Sequence, residues 1–378
     1  MNDWRIFRGN TTPHDDIKNL PTPPSWRRFS LASKDINNKD LDSTDNLQRD
    51  ETFISDDEFI DIEWEHPSNQ KRGKTFRIPE TQNELVDIVN ASLYLRRPLL
   101  VTGKPGTGKT SLAYAVAYEL KLGSVLLWPI TARSTFKEGL YRYDAISRLQ
   151  DVEVRSSYNL LKDKDKNTAT NQELLEDKGE NQSIGRYIQL GPVGTALLPY
   201  KRPRVLLIDE IDKSDINVPN DLLNLFEEGE YEIPELARIS DIVDKVKVGT
   251  YDRQKAWIKS GRVRSYQFPF IIMTSNGERD FPPAFLRRCL RLSIKVPPNE
   301  KDLMEIVKTH LEKPVLKTYE PLISKLIEQF LEHQKKGDLA TDQLLNAVYL
   351  VTRNSSMADP DKDRLANLLL KHLNSMDN

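Results

Sequence analysis

The 378-residue sequence predicts a three-layer α/β core built on a parallel sheet, followed by a smaller α-helical domain. Three observations carry this expectation. A short apolar run, Pro98-Leu99-Leu100-Val101, enters a glycine-rich stretch that opens onto a helical pattern over residues 111–120. Two later apolar runs, Val205-Leu206-Leu207-Ile208 and Phe270-Ile271-Ile272-Met273, both end in polar residues. Central parallel strands do this when they are buried on both faces and carry function at their carboxyl ends. Beyond residue 297 the period becomes helical, with Tyr319, Leu322, Ile323, Leu326, Ile327 and Phe330 forming one apolar stripe.

Taken in order, residues 1–80 read as a largely irregular arm. Pro21-Thr22-Pro23-Pro24 and the polar run over residues 33–51 bury little apolar surface. Two echoes, Trp4-Arg5-Ile6-Phe7 and Trp26-Arg27-Arg28-Phe29, supply aromatic anchors that either clamp a neighbouring molecule or fold back on this chain's own core. Residues 53–65 mix acids with Phe53, Ile54, Phe59, Ile60 and Trp64, a composition suited to docking on a basic groove. A core over residues 81–296 opens on a capping-box signature, Thr81-Gln82-Asn83-Glu84. After the glycine-rich loop, Val125-Leu126-Leu127-Trp128 is the next strand.

Residues 151–183 are densely polar without a steady period and are expected to form a mostly flexible insert. A second insert covers residues 232–267. Within residues 236–266, eight Lys or Arg stand against three Asp, with Tyr251, Trp257 and Tyr266 interleaved. That composition fits a solvated face, or a grip on a peptide or a nucleic-acid base. Pro297-Pro298 closes the core, and residues 297–378 form the helical domain, with further helices near 343–352 and 364–373.

The glycine-rich stretch reads Gly103-Lys104-Pro105-Gly106-Thr107-Gly108-Lys109-Thr110 and runs into Ser111, with the spacing of a phosphate-binding loop. Its glycines let backbone N–H groups and a helix N-terminus face phosphate oxygens. Lys109 would supply charge to the β- and γ-phosphates, and Thr110 a hydroxyl to Mg²⁺. About 100 residues on, Asp209 and Glu210 close the second apolar run. Asp209 is placed to hold the water shell of Mg²⁺, and Glu210 to polarise the attacking water. The expected ligands are ATP and Mg²⁺, and the expected reaction is hydrolysis of ATP to ADP and phosphate.

Thr274-Ser275-Asn276 ends the third run, and Pro282-Pro283-Ala284-Phe285-Leu286-Arg287-Arg288 follows it. At this point the order of parts resembles the AAA+ ATPases, a group of P-loop NTPases. The resemblance implies that Asn276 orients the lytic water. It also implies that Arg288, with Arg287 as the second candidate, projects into the neighbouring subunit's site to meet charge developing in the transition state.

Within AAA+ the chain looks most like MoxR-like proteins of the helix-2-insert group. The matching pieces are the phosphate loop, the Gly191-Pro192-Val193 turn, Asp209-Glu210-Ile211-Asp212-Lys213, a helix over residues 221–228, and Thr274-Ser275-Asn276, together spanning residues 81 to about 350. Implied are a homo-oligomeric ring, expected to be hexameric, with nucleotide at subunit interfaces under a helical lid. Implied too is a chaperone-type action that remodels or activates a partner protein, a von Willebrand-type protein or an effector among the candidates. The lid departs from the family pattern. Where MoxR-like lids carry Ser-Pro-Arg, this chain has Ala340-Thr341-Asp342-Gln343-Leu344, so either Gln343 substitutes for the arginine or the lid senses nucleotide by other means.

Composition bounds the alternatives. A net charge of −2 exerts no global pull toward nucleic acid or membrane, and 38% hydrophobic with 30% charged residues describes a soluble protein. No apolar stretch reaches bilayer length and Met1-Asn2-Asp3-Trp4-Arg5 is no signal-peptide start, so the cytoplasm is the expected location. The lone Cys289 excludes internal disulfides and a cysteine-based zinc site and reads as packing. Two competing functions stay open. One is a nucleic-acid-acting AAA+ motor, supported by the basic insert. The other is an ATP-gated assembly switch or scaffold in a defence or signalling module, supported by the missing arginine at the Ala340–Leu344 stretch of the lid and by the aromatic arm.

Overall fold

The computed structural model describes residues 4–27, 31–32, 53–54, 60, 62, 67–76, 78, 83–162, 184–294, 299–311, 313–334, 339–353, 364–365 and 368–370. Arg28-Phe29, Thr81-Gln82, Pro297-Pro298, residues 163–183 and most of residues 33–66 lie outside these. Leu31–Ala32 (β1) and Phe53–Ile54 (β2) form a short parallel pair, and Pro67–Thr75 (α1) and Asn83–Leu95 (α2) follow. Leu99–Thr102 (β3) leads through the glycine-rich loop into Lys109–Glu119 (α3). Next come Leu126–Pro129 (β4), Phe136–Leu140 (α4), Tyr141–Tyr143 (β5) and Ala145–Lys162 (α5). Ile188–Leu190 (β6), Pro192–Ala196 (α6), Val205–Asp209 (β7), Asn217–Glu228 (α7), Glu230–Glu232 (β8) and Pro234–Ala237 (α8) continue the chain. Lys245–Gly249 (β9), Lys255–Lys259 (β10), Arg262–Arg264 (β11), Phe270–Ser275 (β12), Pro283–Arg288 (α9) and Leu290–Ser293 (β13) complete the α/β part. Glu300–His310 (α10), Lys313–Gln334 (α11) and Thr341–Arg353 (α12) form the helical part.

The central sheet is parallel throughout, in the order β13-β3-β12-β7-β4. Its strands are rich in Leu, Ile and Val because both faces are covered, and every residue of β12 is buried. Alternation divides them between two cores. Leu99, Val101, Val205, Leu207, Phe270 and Ile272 face α2 and α3, whereas Leu100, Leu206, Ile208, Ile271 and Met273 face the other layer. Burying each such side chain contributes about 1.5–3 kcal/mol, so the sheet position of these runs is strongly specified. Register pairs Ser275 with Thr102 and Pro129 with Asp209, which brings the carboxyl ends of β3, β7 and β12 together at one rim. The helical part has its own core, in which Leu303, Val307, Ile323, Ile327, Phe330 and Leu344 interlock across α10, α11 and α12.

One feature departs from the sequence expectations, and two concern points that the sequence left open. First, α5 continues the helix through Lys162, into the stretch expected to be flexible. Sequence periodicity looks for a buried stripe, and this helix has none in the described part: Ile146, Leu149 and Val154 are exposed. Its start is set locally instead, where Asp144 accepts from the Ser147 N–H at 2.9 Å and the Ser147 hydroxyl at 2.7 Å. Second, the insert at 232–267 is ordered β-structure. It joins β5 and β6 in a second, six-stranded sheet of order β5-β6-β9-β10-β11-β8. Third, the first aromatic echo packs on this chain's own core: Ile6 and Phe7 are buried, and Trp4 meets Tyr94 edge-on at 5.9 Å. The second echo differs, because Trp26 is 78% exposed while Arg27 donates to the Phe226 carbonyl at 2.7 Å.

The first anchor is held by buried polar groups. Asn90 Oδ1 accepts from the N–H groups of Ile6 (2.8 Å) and Phe7 (2.9 Å), and its Nδ2 donates to the Phe7 carbonyl at 2.7 Å. Buried Glu119 accepts from the Gly9 N–H at 3.1 Å and the Thr11 N–H at 3.0 Å. Asn90→Leu leaves the Ile6 and Phe7 amides without partners, at about 1–3 kcal/mol each. We expect a lower urea midpoint together with new protease cleavage before residue 12, and an unchanged midpoint would show that the anchor contributes nothing to stability.

Candidate functional site

The glycine-rich loop lies between β3 and α3 because two of its residues need left-handed backbone. Gly106 has φ +72° and Gly108 has φ +85°, and Gly108 sits directly before the first residue of α3. Lys104 and Pro105 are exposed on the loop, the Thr107 hydroxyl donates to the Lys104 carbonyl at 2.9 Å, and Ser111 lies half-buried in the first turn of α3. Lys109 is buried, and its ammonium donates to the carbonyls of Gly103 (2.6 Å) and Lys104 (2.9 Å) and to Asn276 Oδ1 (2.8 Å). Burial lowers its pKa, and the Asp209, Asp212 and Glu210 carboxylates oppose that shift.

Across the rim, Thr110 Oγ1 donates to Asp209 Oδ1 at 3.0 Å. Glu210 follows with φ +60°, so its side chain leaves the direction of β7. Its Oε2 pairs with Lys213 Nζ at 2.8 Å, and its Oε1 accepts from Asn276 Nδ2 at 3.4 Å. Lys109, Asn276 and Glu210 thus form one hydrogen-bonded set and Thr110 and Asp209 another, and Thr274 joins the two into one group drawn from three separate parts of the chain.

Two positioning residues escaped the sequence reading. Buried Thr274 donates to Asp209 Oδ1 at 2.6 Å and accepts from the Glu210 N–H at 2.9 Å, which fixes the left-handed turn between the two acids. Asp212, 4% exposed, accepts through Oδ2 from the N–H groups of Asn276 (3.0 Å) and Glu278 (3.1 Å), setting the loop after β12. The available signal was spacing: Thr274 precedes Asn276 by two residues on a strand and so belongs to the same face.

Arg287 and Arg288 are elsewhere. They end α9, and Arg97 holds the carbonyls of both through its guanidinium. Arg288 Nε pairs with Glu227 Oε1 on α7, and that contact raises its pKa further. Neither arginine touches the Lys109 group of its own chain. Cys289 beside them is buried, and burial pushes its thiol up to about 12, as suits a packing residue.

In the lid, Gln343 is held within the helical part. Its Oε1 accepts from the Ala340 N–H at 2.9 Å, and its Nε2 donates to the Leu369 carbonyl at 3.2 Å, so the lid consumes both ends. Ala340 and Asp342 are the residues against the phosphate loop: a Cβ on Gly106 would lie 2.4 Å from the Ala340 Cβ and 2.8 Å from Asp342 Oδ1.

The group fits a magnesium nucleotide. Thr110 and Asp209 offer adjacent hard oxygen donors of the kind Mg²⁺ prefers, and the buried Lys109 ammonium donates its hydrogen bonds to neutral oxygens that phosphate oxygens can replace. Among the described residues no helix is long and apolar enough to cross a membrane. Of the solved structures, PCH-2 from C. elegans is similar over 80% of this chain and 70% of that chain, at 14% identity and a TM-score of 0.35. A search of curated proteins finds no match. The model of the AAA domain, dynein-related subfamily, matches residues 98–289. That match spans just over half of the sequence and contains the whole hydrogen-bonded group, and the chain belongs to the dynein-related subfamily of AAA domain ATPases.

Proposed function

We propose that the protein hydrolyses ATP at the subunit interfaces of a homo-oligomeric ring of MoxR-like type, expected to be hexameric, and uses the cycle to remodel or activate a partner protein. The observation that carries this reading is the separation of Arg288 from the Lys109 group. Among the described residues no arginine contacts Lys109, Asp209, Glu210 or Asn276, while Arg288 lies at a helix end with its guanidinium at the surface. Such a site is completed when another copy supplies the missing cation.

In this reading the backbone of residues 103–108 cradles the triphosphate, and Lys109 exchanges its loop carbonyls for the β- and γ-phosphate oxygens. Thr110 and Asp209 would hold Mg²⁺, whose charge neutralises the β- and γ-oxygens. Glu210 accepts the proton of the attacking water and Asn276 orients it. For that, Glu210 must exchange Lys213 for water. The lid start at Ala340 and Asp342 lies against Gly106, so a bound phosphate would press on α12 and carry the nucleotide state into the helical part. Relatives in the resembled group suggest a von Willebrand-type or effector partner.

The same lid contact favours a second reading, an ATP-gated switch in which occupancy sets assembly and turnover is slow. Lys109→Ala tests the shared premise. It is expected to weaken binding of a fluorescent ATP analogue by at least about a hundredfold, because a buried cation facing two phosphates is lost. Unchanged binding would remove the phosphate-loop assignment. Sedimentation of the wild type with ATP then separates the readings: rings with turnover support the motor, and rings without turnover support the switch.

A further inference from the structure

The second sheet has one dry face and one wet face. Val246, Val248, Ala256, Ile258 and Val263 are buried, so the alternate residues of β9, β10 and β11 turn outward. Register sets these outward residues in rows. Lys247 stands opposite Trp257, Lys245 opposite Lys259, and Gly249 opposite Lys255. Gly249 also pairs with Gln189, and Gln189 with Arg142, which carries the same face onto β6 and β5. Basic residues scattered along the sequence thus converge on one surface.

Trp257 stands at the middle of β10, 52% exposed, with the Lys247 ammonium 5.4 Å from its ring centroid. Tryptophan is rarely left this open on a sheet without use. Among the described residues, Arg142, Lys247 and Lys255 make no ion pair. The acids of this face, Glu230 and Glu232 on the far strand β8, are taken by Arg264 and by Arg262, the latter pair at 3.6 Å. The whole chain carries only −2, so the cationic character is local to this face.

We propose that this sheet face binds single-stranded nucleic acid, with Trp257 stacking on a base and Arg142, Lys247 and Lys255 following the phosphates. An aromatic ring flanked by cations on a flat sheet is a stacking platform, and it accepts any unpaired base because each has a π-face. Bases in a duplex are already stacked and offer the ring less. An extended acidic peptide is the poorer fit: β9, β10 and β11 are each paired on both sides, so a peptide lying over Trp257 finds no open strand edge there. None of Arg142, Lys247, Lys255 and Trp257 is a residue of the ATP site.

The test is fluorescence anisotropy of a labelled oligothymidylate titrated with the full chain at several salt concentrations. Expected are affinity that falls steeply with salt, and quenching of tryptophan emission that Trp257→Ala reduces. Trp257→Ala should weaken binding about tenfold or more. The double variant K247E/K255E should weaken it further and flatten the salt slope by about one to two. Basal ATP hydrolysis of both variants reports that they fold. A duplex of equal length should bind more weakly. No binding at low salt, or equal affinity of wild type and both variants, overturns the proposal. So does polyglutamate competing as well as the oligonucleotide while Trp257→Ala is neutral, because the face would then be one for acidic protein.

Discussion

Arg288→Ala is expected to lower ATP hydrolysis per subunit by about 10³-fold or more, the range an arginine delivered in trans contributes by meeting charge that develops in the transition state. Nucleotide affinity should change far less, since in the proposed function the guanidinium acts on the transition state and comes from another copy. Wild-type specific activity should climb with protein concentration as rings assemble, whereas the variant stays flat. In the isolated chain Arg288 pairs with Glu227 at the surface, so assembly must exchange that carboxylate for phosphate oxygens. If wild-type and variant activities are both low and independent of concentration, Arg288 is no finger and the switch reading takes over. Arg287, next to it at the end of α9, is the control position: Arg287→Ala should leave most activity if Arg288 is the finger.

Glu210→Gln carries the second large effect. The substitution preserves shape and the contact to Asn276 but removes the proposed base, and positioned general bases contribute about 10²–10⁴-fold. Hydrolysis should fall by that factor while ATP binding persists, so rings should accumulate with ATP bound. The two variants also test each other. A mixture of Glu210→Gln and Arg288→Ala chains contains interfaces that pair an intact Glu210 from one chain with an intact Arg288 from the other. Activity in the mixture well above that of either variant alone establishes catalysis across the interface. Additive activity instead would place both residues in one chain's site or neither in any.

These effects rest on side chains whose legibility in the sequence differed. The phosphate loop, Asp209 and Glu210 could be singled out because their pattern is local, a loop of fixed spacing and acids ending an apolar run, whereas Asn276 was singled out through the family resemblance. Thr274 and Asp212 were not, since their roles lie in hydrogen bonds to residues 64 to 66 positions away, which no local pattern encodes. Gln343 shows the converse. A sequence position invited a role in sensing nucleotide, and the side chain is occupied within the lid while Asp342 faces the loop.

By itself the sequence determined the α/β core, the helical part after it, and the residue types able to bind a magnesium nucleotide. Burial on both faces demands continuous apolar strands, and phosphate binding demands glycines and a lysine at fixed spacing; both leave marks in a short window. Tertiary structure alone decided that Phe7 packs under Asn90, that the insert at 232–267 completes a second sheet, and that its cations share one face with Trp257. Each of those depends on which distant strands pair and in what register, and a shift of one residue would turn every side chain to the opposite face without changing a letter of the sequence.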